Sequence, residues 1–124
     1  MRDLPTGPQL EEIAREWEAK GIAGLPPQER AVAEAMVERC KAIARRESDA
    51  GEGALAPIRA ELTALYGEGD AGLERLAAEI RDGALDAPSA RRGRVLALLR
   101  ALTLQKLSES NPRFLRAHGL GCVD

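Results

Sequence analysis

Glycine and proline divide this chain into five stretches, and inside each the apolar residues recur at three- and four-residue spacing. That spacing lines one face of a 3.6-residue helix, whereas no stretch shows the strict alternation and β-branched enrichment of a strand. The first stretch enters at Thr6, a good N-cap with Gln9 placed to complete a capping box and Pro8 in the first turn. Leu10, Ile13, Ala14 and Trp17 form its stripe, and Gly21 supplies a left-handed stop. Pro26 and Pro27 open the second, a long helix from Gln28 to about Glu47 with its stripe at Ala31, Val32, Ala35, Met36, Cys40, Ile43 and Ala44.

Ser48 to Gly53 reads as a turn-rich loop. A third helix follows with Leu55, Ile58, Leu62 and Leu65, ended by Gly67, and Pro57 fits only its first turn. Asp70 is the expected cap of a fourth, striped by Leu73, Leu76, Ala77 and Ile80 and stopped at Gly83, with Leu85 placed to fold back on its last turn. The fifth, from about Pro88 to Glu109, is the most apolar and therefore the expected centre, with Val95, Leu96, Leu99, Leu102, Thr103 and Leu107 flanked by Leu98 and Leu104. Asn111 and Pro112 then cap and restart a last turn containing Phe114 and Leu115. The expectation is an all-α protein: a single compact bundle of about five helices plus a short C-terminal helical turn, with residues 1–118 as one domain and 119–124 as a flexible tail.

The 124 residues suit one domain and one core. Only Trp17, Tyr66 and Phe114 are aromatic, so that core must be built from Leu, Ile, Val and Ala, and Trp17, at a stripe position, is expected inside it. Eighteen basic residues against twenty acidic ones leave a formal charge of -2, which gives no steering toward nucleic acid or an anionic membrane. No apolar run reaches the roughly 20 residues of a membrane span, and the opening MRDLPTGPQL has neither signal-peptide nor transit-peptide character. A cytoplasmic location and two reduced thiols, Cys40 and Cys122, are the simplest expectations.

Candidate chemistry is thin. His118 and Cys122 supply two potential metal ligands where three or four are needed, and their place near the chain end offers nothing rigid to hold a nucleophile pair. Glu11, Glu12 and Glu16 lie opposite or beside the first stripe, as a solvated face does. No glycine pattern cradles a phosphate. Arg91, Arg92, Arg94 and Arg100 crowd one helix and could fork onto an anion; helical spacing favours Arg92 and Arg100 as the anion-binding pair, against an ordinary charged surface. The residues therefore predict no catalytic group, no cofactor and no metal.

Two ends of the chain, read together, resemble one family. Arg2-Asp3-Leu4-Pro5-Thr6-Gly7-Pro8, Leu102-Thr103-Leu104-Gln105-Lys106-Leu107 and Ser110-Asn111-Pro112-Arg113-Phe114-Leu115 are similar to the bacterial domain of unknown function 6285 family. Ala42-Ile43-Ala44-Arg45-Arg46-Glu47 and Ile80-Arg81-Asp82-Gly83 match its internal landmarks, while Val37-Glu38-Arg39-Cys40 departs from it where members often carry an Asn. The resemblance implies proteins encoded beside an aminoglycoside-phosphotransferase-like kinase and acyl-CoA dehydrogenases, some serving as the small subunit of a kinase for 4-hydroxyacyl-CoA in hydroxy-acid catabolism.

Three functions are open from the sequence. The first is a non-catalytic accessory subunit or binding partner of such a kinase, with Pro5, Thr6, Asn111, Pro112, Arg113 and Phe114 as the expected partner-binding residues. The second is a stand-alone enzyme on an acyl-CoA or acyl phosphate, using the arginines and His118. The third is a self-associating helical protein, a two-fold dimer through an exposed apolar stripe.

Overall fold

The computed structural model describes residues 1–120, and within them the chain forms α1 (Gly7–Ala19), α2 (Pro27–Ala50), α3 (Ala56–Tyr66), α4 (Gly72–Arg81), α5 (Arg92–Ser110) and α6 (Pro112–Ala117). Short 3-10 turns at Ile22–Gly24 and Glu52–Leu55 join α1 to α2 and α2 to α3, and no strand occurs among the described residues. The all-α architecture and the five helices with a short sixth follow the apolar spacing. No described helix is long and apolar enough to cross a membrane. Cys122 and the remainder of the expected tail, residues 121–124, lie outside the described residues. Gly119 and Leu120 belong to the helical unit: Gly119 takes φ 61°, and the Leu120 N–H donates to the Leu115 carbonyl at 2.8 Å, closing α6 with a Schellman motif. The same device ends α4, where the Ala84 N–H reaches Glu79 O at 3.0 Å and the left-handed Gly83 turns Leu85 into the core.

The core gathers in the second half of the chain. Leu55, Ile58, Leu62, Tyr66, Leu76, Leu85, Val95, Leu98 and Leu102 form one buried cluster contributed by α3, α4, α5 and the segments beside them. α5 is its axis, as its apolar character predicted, although the inward face runs Val95, Leu98, Leu102 and leaves Leu96 53% exposed. The α1–α2 hairpin packs outside this cluster, with α2 lying along α5. Its seam is made of small side chains: Ala14 of α1 and Ala33 and Ala44 of α2 are buried together with Val37. Alanines let the two helices approach closely but fill little space, and larger residues beside the seam stay partly exposed.

Three local expectations are corrected. α2 runs three residues past Glu47, because its last carbonyls find a donor the local sequence does not show: Arg2 Nη2 donates to Gly51 O at 2.8 Å and reaches Glu47 O at 3.5 Å. Asp70 does not cap α4; Arg59 Nε holds its carboxylate at 2.8 Å, and a charge-assisted pair outcompetes a cap bond, leaving Ala71 as the N-cap residue. α5 begins at Arg92, since Asp86 and Ser89 lead linked turns in which the Ser89 N–H donates to Asp86 O and the Arg92 N–H to Ser89 O.

Arg59 also pairs with Glu52, while Glu79 accepts from both Arg91 and the Tyr66 hydroxyl, at 2.8 and 2.7 Å. Hydrogen bonds from these arginines hold the Glu52, Asp70 and Glu79 carboxyls below their usual range, with the Tyr66 hydroxyl adding to the effect at Glu79. Each carboxyl is thus more acidic folded than unfolded. Its stabilising contribution is complete above the ordinary carboxylate range near pH ~4 and is lost as pH falls through the depressed folded values. Thermal unfolding from pH 7 down to pH 2 is expected to show a midpoint that falls only on this acid limb. The Arg59→Gln variant is expected to flatten the limb; an unchanged acid profile would count against these pairs.

Candidate partner-binding surface

α1 and α2 are amphipathic in an unusual way, because each carries apolar residues on two adjoining faces. On α2, Ala33, Val37 and Ala44 point inward, while Val32 and Met36, one helical step round, are 61% and 56% exposed. On α1, Ala14 is buried and its neighbours Ile13 and Trp17 are 37% and 43% exposed. The stripes expected to form core on these two helices are therefore in large part surface, and Trp17 with them. α1 is held against α2 at Ala14, and among the described residues no third helix covers Ile13, Trp17, Val32 and Met36.

These four side chains line an open groove of about 400 Å³ between the two helices, with Leu25 and Cys40 also in its lining. Ile13 is shared with a second, shallower hollow against the N-terminal segment, where Leu4 is 80% exposed beside Pro5. Together they make one apolar strip across α1. Its ionisable lining is uniformly acidic: Glu29 at the groove and Glu12 and Glu16 at the hollow. None of the three makes an ion pair among the described residues, in contrast to Glu18, which is held by Lys41.

The two ends of the chain meet at a second, polar feature. Arg2 runs into the bundle and donates to Glu109 at 3.0 Å (Nη2) and 3.3 Å (Nε), with Glu47 3.6 Å from Nε and Glu52 2.7 Å from Nη1. Gln105 Nε2 completes the Glu109 carboxylate at 2.9 Å, and the Glu109 carbonyl accepts from Arg46 Nε. Glu47 turns its other oxygen to the Gly7 N–H at 2.9 Å, satisfying an orphan donor at the start of α1 from a different helix. Asp3 pairs with Lys106. The hydrogen bond to Glu109 holds the Arg2 guanidinium above its ordinary range. This cluster ties α1, α2 and α5 together and is used up internally.

Of the residues singled out from sequence, Pro5 lines the hollow beside Ile13. Thr6 enters α1 with its N–H donating to Gln9 Oε1 at 2.8 Å, and Asn111 Oδ1 accepts from the Phe114 N–H at 3.3 Å, so both are caps in fact as well as in pattern. Pro112 occupies the first turn of α6, Arg113 is exposed, and Phe114 is 39% exposed and stacked on His118 with ring centroids 4.1 Å apart. The helix-five arginines are not brought to one point. Arg91 and Arg94 pair with Glu79 and Glu61, Arg92 donates to Leu85 O at 3.3 Å, and Arg100 lies eight residues further, ~12 Å along the axis. Among the described residues no cluster of three or more His, Cys, Asp or Glu is placed to hold a metal ion.

Sequence reasoning missed Arg2, Glu47 and Glu109, which are joined across the fold to partners 40 to 107 residues away, and it put Val32, Met36 and Trp17 on the wrong side of their helices. No curated protein and no solved structure matches the chain. Residues 23–114 match a family model, described as a domain of unknown function (DUF6285), so that α2 to α5 lie inside the match and α1 outside it. With well over half of its length covered, the chain belongs to the domain of unknown function 6285 family.

Proposed function

We propose that this protein is a non-catalytic accessory subunit whose task is to bind an aminoglycoside-phosphotransferase-like kinase acting on a hydroxyacyl-CoA. The observation that carries the binding role is the open apolar groove between α1 and α2. A tryptophan and a methionine, residue types enriched at interfaces, stand together there with Ile13 and Val32 in one exposed apolar patch. Most groups with displaced pKa values owe the shift to an ion pair within the fold, as Arg2, Glu52, Arg59, Asp70, Glu79 and Arg91 do, while burial raises the Tyr66 hydroxyl, and this supports the same reading. The choice of a kinase as partner is supported by the family resemblance of the two chain ends and the gene neighbourhood it implies.

Co-expression with a phosphotransferase-like kinase from the genomic neighbourhood is the test. The two chains are expected to co-purify through an interface of about 800 Å² per partner, and the kinase to turn over a hydroxyacyl-CoA faster with this chain than without it. Separate elution together with unchanged turnover would overturn the proposal.

A further inference from the structure

We infer that the groove between α1 and α2 receives a basic amphipathic helix of the partner protein, a reading that rests on the accessory role proposed above. The floor is open: with Trp17, Val32 and Met36 between 43% and 61% exposed, a small ligand would leave most of these side chains wet, whereas a helix laid along the hairpin covers them together. The length agrees, since the thirteen residues of α1 offer a track of ~20 Å, about four turns of a docked helix.

Charge selects the kind of helix. Glu12, Glu16 and Glu29 are the only ionisable groups lining the groove and its adjoining hollow apart from the Cys40 thiol, and none has an ion-pair partner among the described residues. A second copy docked groove to groove would set these carboxylates against their own counterparts. Lysines or arginines flanking an apolar stripe would instead meet all three. The occupant is therefore apolar on one face and cationic at its margins.

The probe is a fluorescein-labelled 18-residue peptide of leucine and lysine in helical amphipathic order, compared by anisotropy with a leucine and glutamate peptide of the same pattern. The leucine/lysine peptide is expected to bind saturably and at least tenfold more tightly than its acidic twin. Met36→Lys and Glu29→Lys, both at exposed positions, are each expected to weaken it at least tenfold with helical circular dichroism unchanged, while Glu68→Lys in the α3–α4 loop has little effect. Equal binding of both peptides, or equal loss with Glu68→Lys, would overturn the inference. The co-expressed kinase separates this from the accessory reading. Co-purification that survives Met36→Lys leaves the subunit role standing and removes the groove as its site; selective peptide binding with no kinase retained does the reverse.

Discussion

Replacing Glu109 by alanine is expected to lower the unfolding free energy by about 3 kcal/mol, read as a shift of the denaturant midpoint with an unchanged slope. Glu109 is 7% exposed and its carboxylate accepts from two Arg2 nitrogens and from Gln105. Removing it strands a guanidinium that is itself 12% exposed. The loss stays at the lower end of what a broken buried pair costs because Glu47 and Glu52 remain within reach of Arg2. Glu109→Gln, which keeps a carbonyl acceptor for Arg2 but not the charge, is expected to lose about half as much. A Glu109→Ala midpoint close to that of the unaltered protein would show that the Arg2 cluster is ornamental.

Leu62→Ala is expected to be equally severe, about 3 kcal/mol, for an unrelated reason. Leu62 is fully buried, and α4 begins hard against it: a β-carbon added at Gly72 would stand 3.5 Å from the Leu62 β-carbon. Tyr66 and Leu76 belong to the same buried cluster, each held on its own helix, so their collapse into the space left is incomplete. The melting temperature is expected to fall by about 12 °C at ~4 °C per kcal/mol for a chain of this size. Met36→Ala removes a side chain of similar bulk from the groove and is expected to stay within about 0.5 kcal/mol of the unaltered protein, as surface changes do. Comparable losses at the two positions would contradict the division between core and groove.

Helix identity was legible wherever a local device marked it. Thr6 with Gln9, Gly21, Gly67, Gly83 and the Asn111-Pro112 restart all act within a few residues of themselves, and all do so in the structure. What was not legible acts over distance. The end of α2 depends on Arg2, and the freedom of α4 from its expected cap depends on Arg59. Helical spacing also cannot say which of two adjoining apolar faces turns inward. On α2 the expected stripe ran through Val32 and Met36, whereas the buried face is that of Ala33 and Val37. The groove was hidden by the same ambiguity: its residues were visible as a stripe and were assigned to the core.

The placement of Trp17 has an optical consequence. It is the sole tryptophan, and it stands half exposed in the groove, apart from the cluster around Leu62. Light absorbed selectively by indole therefore reports on what lies over α1 and α2, the two helices that line the groove. A change in Trp17 emission at constant helical ellipticity is thus a local event at the groove, not a loss of fold.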